Sequence, residues 1–170
     1  MIITVSDIQA DGLTLANPGE FGCPFTDRSW RLDDVRLHLE MDGEEVVVTG
    51  RIAATVPLTC GRCLETFPDA VRLDVNLRYA PRQAAIAPGA ELASDELDVD
   101  FYDDDRLDVS ALIDAETTLA LPMKPLCRPE CRGLCPSCGT NRNVAECACG
   151  DRPPDPRLAV LKDLADRLPR

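Results

Sequence analysis

Residues 127–149 read Cys127-Arg-Pro-Glu-Cys131-Arg-Gly-Leu-Cys135-Pro-Ser-Cys138-Gly-Thr-Asn141-Arg-Asn143-Val-Ala-Glu-Cys147-Ala-Cys149. The cysteines of this stretch come in three closely spaced pairs, and a fourth pair lies upstream in Cys60-Gly-Arg-Cys63. A short turn between two cysteines lets both sulfurs bind one ion, and glycine supplies the positive φ that such a turn needs. Four pairs therefore predict two tetrahedral metal ions. The predicted ligands are Cys60, Cys63, Cys127, Cys131, Cys135, Cys138, Cys147 and Cys149.

The metal that this pattern favours is zinc, because paired cysteine turns spread through a folded chain are typical of structural zinc sites. An iron–sulfur cluster is the alternative for an all-thiolate tetrahedral site. Two partitions of the ligands are open. The favoured partition joins the first pair to the second and the third to the fourth, giving Cys60/Cys63/Cys127/Cys131 and Cys135/Cys138/Cys147/Cys149. The other closes residues 127–138 locally and joins the first pair to the fourth.

Disulfides are the other use for so many cysteines, and they belong to small secreted domains. The sequence starts Met1-Ile-Ile-Thr-Val-Ser-Asp without a basic and apolar leader, and no apolar run is long enough to span a bilayer. We therefore expect a cytoplasmic protein in a reducing compartment, with no membrane partner.

Charge limits the partners. The chain of 170 residues has a formal net charge of −12, which opposes non-specific attraction to nucleic acid. Acidic residues are concentrated between Asp95 and Asp108, where Arg106 is the only basic residue. This segment predicts either a solvated acidic face or a docking surface for a basic protein. The cysteine region is more basic, but two thiolate-bound zinc ions would partly neutralise its arginines.

Alternation of apolar and polar residues predicts a sheet. Residues 35–41 and 45–56 alternate around Asp42-Gly43 and predict a β-hairpin. Residues 70–79 predict a further strand, so that the Cys60 turn lies between two strands, and residues 96–102 predict a short strand before a turn at Asp103–Asp105. Residues 81–93 show no periodicity and predict a mobile loop.

Two helices are expected. Asp108 or Ser110 can cap the first, which ends before Pro122. Its predicted inward residues are Leu112, Ile113, Ala115, Leu119 and Ala120. The second begins at Asp155-Pro156 and places Leu158, Leu161, Leu164, Ala165 and Leu168 on one face.

The predicted fold class is therefore α+β: an antiparallel β-sheet core with a few helices and a cysteine-rich zinc-binding C-terminal region. Residues 1–121 are expected to form the β-rich core domain with one helix, residues 122–152 the zinc-binding region, and residues 153–170 a C-terminal helix that packs on the core. Cys23 has no neighbouring cysteine, and we expect it to be buried in packing.

Catalysis is not expected. All-thiolate zinc sites are closed and structural, and the single histidine, His38, falls on the polar face of its strand, where a solvated role is expected. Asp98 and Asp100 share a strand face and could form a two-metal nuclease site, but nothing else in the sequence orients a nucleophile. No small-molecule substrate is indicated.

Two further interpretations of the cysteine region are open. Cys60 and Cys63 have the spacing of a redox pair, although such a pair belongs at the start of a helix rather than between strands. Side chains beside the cysteines can contact unpaired RNA bases, while the two asparagines can equally donate to sulfur or cap the turn. The candidates for RNA contact are Arg132, Asn141, Arg142 and Asn143.

With these residues assembled, the chain resembles the YceD family of large ribosomal RNA subunit accumulation proteins. The resemblance lies in residues 60–67, in Leu119-Ala-Leu-Pro122, in Pro125-Leu-Cys127, in residues 131–143, and in Asp155-Pro-Arg-Leu158 through Leu161. It covers about two-thirds of the chain, and neither Cys23 nor the Ala/Pro-rich loop belongs to the pattern.

The resemblance implies a non-enzymatic role in the accumulation or processing of large-subunit (23S) ribosomal RNA during ribosome assembly. The expected partner is that RNA or the pre-ribosome, reached directly or through a basic ribosomal protein on the acidic face. The alternative is a redox-regulated zinc chaperone or a zinc-ribbon module for protein interaction.

Overall fold

The computed structural model describes residues 1–82, 99–149 and 157. Within them it contains seven strands, one α-helix and two short 3₁₀ turns, Val5–Asp7 and Pro18–Glu20. The strands are β1 (Ile2–Thr4), β2 (Leu13–Leu15), β3 (Arg31–Asp42), β4 (Glu45–Thr59), β5 (Thr66–Pro81), β6 (Val99–Tyr102) and β7 (Arg106–Asp108), and the helix is α1 (Val109–Leu119).

The strands form two sheets. One contains five strands in the order β2-β3-β4-β5-β6, and the other pairs β1 with β7 antiparallel. The β2–β3 and β3–β4 pairs are antiparallel, but β6 runs parallel to β5. For the described residues the predicted fold class is confirmed: the structure there is mostly β with one helix. The parallel edge strand was not anticipated, because alternation of apolar residues carries no information about strand direction.

The predicted hairpin is present as β3 and β4, with Asp42 paired to Glu45 and a two-residue loop of Gly43 and Glu44. Gly43 has φ 67°, and Glu44 is not among the residues with positive φ. A positive φ at the first central position alone is typical of a type II′ turn. The turn is therefore centred one residue later than the Asp-Gly signal suggested.

The core lies between the five-stranded sheet and α1. Val35, Leu37 and Leu39 of β3 are fully buried, as are Val46 and Val48 of β4. In β3 the buried residues alternate with exposed or half-buried ones, the period of two that a half-buried strand requires, whereas in β4 Val47 is buried as well. His38 lies on the other face of β3, with 41% of its side chain exposed and its Nδ1 3.1 Å from Thr14 Oγ1, as expected for a solvated histidine.

Gly50 of β4 is required by its neighbours. It has φ 149°, and a Cβ there would lie 1.9 Å from the carbonyl oxygen of Arg36 on β3. No side chain fits at that distance, so glycine is what lets the two long strands stay paired here.

Helix α1 begins as predicted at Asp108, whose carboxylate accepts from the N–H groups of Ser110 and Ala111, and it ends before Pro122. Its buried residues are Val109, Leu112, Ile113 and Thr117. The prediction was correct for Leu112 and Ile113 and wrong for Ala115, Leu119 and Ala120, which are exposed. The buried ridge runs along Val109, Ile113 and Thr117 with a spacing of four, whereas Ala115 and Leu119 lie away from that ridge on the side of the helix that faces solvent.

Cys23 is exposed, contrary to the expectation that it is buried. Its neighbours Phe21, Pro24 and Phe25 are buried instead. The segment is an irregular turn through Gly22 at φ 62°, so no period links position to face there.

Two predicted elements lie outside the described residues: most of the loop at 81–93, and the helix expected from Asp155 onward. Of the strand expected at 96–102, the structure describes Val99–Tyr102. Among the residues described, no helix has the length and apolar character that crossing a membrane requires.

The chain forms two compact units. The first comprises Met1–Leu58 and Thr66–Pro125, and the second comprises Thr59–Glu65 with the described residues from Leu126 onward. The first contains the core residues and the second contains the four cysteine pairs. The division into residues 1–121, 122–152 and 153–170 stays a prediction.

Candidate metal centre

The Cys60 pair is held by the turn that joins β4 to β5, where the sequence placed it. The Cys60 N–H donates to the Glu65 carbonyl at 2.9 Å, and the Leu64 N–H donates to the Cys60 carbonyl at 3.0 Å. Leu64 adopts φ 60°, a left-handed conformation that is rare for leucine. The turn thus fixes the backbone around both sulfurs by its own hydrogen bonds.

The first cluster joins this turn to the second cysteine pair. The Sγ atoms of its four cysteines lie within 4.8 Å of one another; they are Cys60, Cys63, Cys127 and Cys131. The sulfurs of Cys60 and Cys131 are 3.8 Å apart, and those of Cys63 and Cys127 are 3.7 Å apart. Four sulfurs bound tetrahedrally to zinc, each about 2.3 Å from it, lie about 3.8 Å apart. A disulfide needs about 2.05 Å, so the spacing fits a metal and not a disulfide.

The second cluster lies entirely within residues 135–149. Its four sulfurs also lie within 4.8 Å of one another; they belong to Cys135, Cys138, Cys147 and Cys149. The Cys135 N–H donates to the Thr140 carbonyl at 2.8 Å, and the Gly139 N–H donates to the Cys135 carbonyl at 2.9 Å. Gly139 has φ 75°, the positive φ expected in such a turn. This grouping of sulfurs is the favoured partition of the sequence analysis, and it differs from the local closure of residues 127–138.

Hydrogen bonds from neighbouring side chains surround the first cluster. Asn143 donates through Nδ2 to Cys131 Sγ at 3.2 Å and accepts through Oδ1 from the Arg132 N–H at 2.8 Å. Arg62 donates through Nη1 to the carbonyls of Pro129 at 3.2 Å and Cys131 at 3.0 Å. Such second-layer donors orient the ligands and stabilise thiolate charge.

The protonation of the sulfurs is shaped by these donors. Hydrogen bonds from the backbone N–H groups of Cys127 and Cys63 lower the pKa of Cys60 to about 6. Those of Cys138 and Ser137 lower the pKa of Cys135 to about 6. In contrast, burial raises the pKa of Cys127 to about 12. Each cluster therefore contains a readily formed thiolate, the form of cysteine that binds metal.

The two clusters differ in exposure. In the first, Cys60, Cys63 and Cys131 are 0%, 3% and 4% exposed. In the second, Cys135 is buried, whereas Cys138 and Cys149 are exposed. Water, chelators and oxidants can thus approach the second set of sulfurs more readily than the first.

The residues considered for RNA contact have internal partners. Asn143 binds the first cluster, Asn141 donates to Glu65 Oε1 at 2.8 Å, and an Nη2 of Arg142 lies 3.7 Å from Cys135 Sγ. Only Arg132 projects mainly to solvent, 64% exposed and 3.8 Å from Glu146. The asparagines thus take the turn-stabilising role that the sequence had left open. The contributions of Arg62 and Glu65 were missed, although both flank a ligand.

Carboxylates of the acidic segment also form hydrogen bonds and ion pairs within the protein. Asp105 accepts from the Ser6 N–H at 3.0 Å, Asp103 pairs with Arg82 at 2.5 Å, and Asp108 caps α1. Asp104 and Asp105 have φ of 50° and 61°, the pattern of a type I′ turn. The turn predicted at Asp103–Asp105 is confirmed, and Asp98 lies outside the described residues.

Comparisons with known proteins match this sequence to one family and to several relatives. A family model described as "Large ribosomal RNA subunit accumulation protein YceD" matches residues 48–165. An uncharacterized protein of Mycobacterium tuberculosis is 34% identical over 106 residues, which is 62% of this chain and 49% of that protein. An uncharacterized protein of Mycobacterium leprae is 31% identical over 128 residues, covering 75% of this chain and 57% of the relative.

A plant protein is also similar. "Large ribosomal RNA subunit accumulation protein YCED homolog 1, chloroplastic" of Zea mays is 27% identical over 127 residues, covering 61% of this chain and 43% of the maize protein. The chain thus spans about half the length of the curated relatives that it matches. No solved structure matches it.

Proposed function

The chain belongs to the YceD family, and from this premise we propose that it is a non-enzymatic, zinc-binding ribosome-biogenesis factor that promotes the accumulation or processing of large-subunit (23S) ribosomal RNA. The observation that carries the proposal is the match over residues 48–165, which includes both cysteine clusters. The family is named for accumulation of an RNA and not for a reaction.

Zinc is the proposed occupant of both clusters. The sulfur spacings of 3.7 and 3.8 Å in the first cluster support a tetrahedral thiolate ion. When bound, the first ion would cross-link the Cys60 turn to residues 127–131 and the second would close residues 135–149, and neither all-thiolate site would leave an open coordination position for substrate. The proposed ligands are Cys60, Cys63, Cys127 and Cys131 for one ion and Cys135, Cys138, Cys147 and Cys149 for the other.

The proposed partner is large-subunit ribosomal RNA or the pre-ribosome in the cytoplasm. The net charge of −12 makes broad contact with RNA unfavourable. The contact is therefore local, or it goes through a basic ribosomal protein. Arg132 is the RNA candidate whose side chain is mainly exposed to solvent.

The test is to deplete the protein in its host and measure the ratio of large to small ribosomal subunits on a gradient. We expect a selective deficit of large subunits with unprocessed precursor RNA. Wild-type protein should restore the ratio and Cys131→Ser should not. Cys23→Ser is the matched control, because Cys23 is a cysteine outside both clusters, and it should restore the ratio fully. Normal subunits after depletion would contradict the proposal.

A redox-regulated zinc chaperone is the second candidate, and the exposure of Cys138 and Cys149 supports it. Mild peroxide would then eject zinc and expose a surface that suppresses aggregation of a denatured client. Zinc release without client protection would favour the assembly role over this one.

A further inference from the structure

A groove of about 570 Å³ lies in the first unit, beside the edge strand β6. The strand supplies Phe101 and Tyr102, β5 supplies Tyr79, and α1 supplies Ala111 and Ala115. Four carboxylates and one basic side chain, Arg106, stand around this aromatic and apolar floor, so its net charge is negative; the carboxylates are Asp100, Asp103, Asp104 and Asp108. The groove therefore combines negative charge with ring surfaces.

Two of these carboxylates remain available. Asp103 pairs with Arg82, and Asp108 caps α1. Asp100 and Asp104 are exposed and form no ion pair with any residue in the described part of the chain. Their charges are thus free to attract a cation from outside.

Tyr79 adds a polar group inside the groove. It is only 7% exposed, yet its hydroxyl has no hydrogen-bond partner within residues 1–82 and 99–149. Burial raises the pKa of Tyr79, and the negative charges of Asp100 and Glu116 raise it further. These two carboxylates make the electrostatic potential at the hydroxyl negative. The hydroxyl is not one of the fully buried polar atoms without a partner in the described residues, so it opens onto the groove and can accept a hydrogen bond from a donor that enters.

The protein itself shows how a guanidinium binds on this surface. Arg82 places its Cζ 5.9 Å from the centre of the Phe101 ring while its Nε contacts Asp103 at 2.5 Å. Ring and carboxylate together satisfy both the charge and the flat face of an arginine. Tyr79 and Asp100 are paired positions of β5 and β6, and both line the groove, so a ring and a carboxylate come together there as well.

We propose that this groove docks an arginine-rich segment of a basic protein, with one arginine side chain entering toward Tyr79 between Asp100 and Asp104. Nucleic acid is excluded by the sign of the charge. The inference deepens the proposed function by giving the acidic face a partner of defined chemistry, and it rests on that function only for the identity of the partner as a ribosomal protein.

The experiment measures binding of a fluorescein-labelled peptide, in which three arginines alternate with alanines, to the full chain by fluorescence anisotropy at low salt. We expect the double variant Asp100→Asn/Asp104→Asn to bind about tenfold more weakly. Tyr79→Phe, which changes no charge, should bind about threefold more weakly. The control is Asp11→Asn/Asp34→Asn, which removes the same charge at exposed positions away from the groove and should leave affinity nearly unchanged.

Equal weakening by both double variants would mean that the peptide follows net charge only and would overturn the proposal. The proposal would also be overturned if neither Tyr79→Phe nor the double variant Asp100→Asn/Asp104→Asn changed the affinity for the peptide. Binding of a labelled single-stranded RNA that depends on the same aspartates would also contradict it. The peptide assay uses no ribosomes. A negative result in it would contradict the docking groove alone, whereas a normal subunit ratio after depletion would contradict the proposed function.

Discussion

Asn143 shows how one side chain can organise a cluster of cysteines without belonging to it. Its amide contacts Cys131 Sγ, the Arg132 backbone and Asn141 Oδ1. The donated hydrogen bond lowers the pKa of Cys131, because it stabilises the thiolate more than the thiol. The same amide could have served an RNA base, and only the fold decides between the two uses. The sequence located the cysteines that form the two clusters, but it could not assign the donors that support them.

Replacing Asn143 with alanine should weaken zinc binding to the first cluster by about 10–100-fold, the usual effect of losing a second-layer donor. The second cluster should be unaffected, because Asn143 does not contact it in the described structure. Competition with a chromophoric chelator measures both affinities. Val144→Ala, a change at an exposed neighbour, is the control. An unchanged first affinity would contradict the role assigned to Asn143.

At the scale of elements, predictability followed the strength of the local signal. The β3–β4 hairpin was predictable because alternation, turn residues and strand length agree in one segment. For α1 the sequence located the cap at Asp108 and the end before Pro122, but Ala115 and Leu119 were assigned to the wrong face. Apolar residues occur on more than one side of that helix, and only tertiary packing selects the side that is buried. The parallel pairing of β6 with β5 likewise depends on a partner that residues 99–102 cannot specify alone.

We expect the two clusters to release the proposed zinc ions one after the other. The second cluster has exposed sulfurs at Cys138 and Cys149, whereas three ligands of the first are buried. We expect a chelator in excess to remove zinc in two phases of equal amplitude, with the second cluster emptied at least tenfold faster. Cys138→Ser should abolish the fast phase and Cys131→Ser the slow one. A single phase in the wild-type protein would show that exposure does not control release.

At the scale of the whole molecule, the apolar core and the cysteine clusters belong to different compact units. The core cluster, from Val5 to Ile113, lies within the first unit, and the described residues of the second are held by cysteines and turn hydrogen bonds. A unit of that kind has little apolar burial, so we expect its stability to depend on the proposed zinc ions. The apolar core and the cysteine pairs could both be located from the sequence. The sequence did not show that Thr59–Glu65 belongs to the second unit.

Complete removal of zinc should therefore unfold the second unit and leave the sheet of the first intact. Hydrogen exchange read by mass spectrometry should show lost protection in residues 126–149 and retained protection in β3 and β4. Leu37→Ala is the opposite perturbation, since it should destabilise the first unit by about 2–5 kcal/mol through a core cavity. Loss of protection in both units on chelation would contradict this division.

The two halves of the first cluster are synthesised at different times. Cys63 and Cys127, whose sulfurs meet in the folded protein, are 64 residues apart in the chain. At a translation rate of about 5–20 residues per second, about 3–13 s separate the synthesis of the two halves. For that interval the nascent chain carries Cys60 and Cys63 as an unpartnered dithiol, which can be oxidised or can bind a metal with two sulfurs only. The order of translation, as well as the final geometry, thus sets when this site is open to the wrong chemistry.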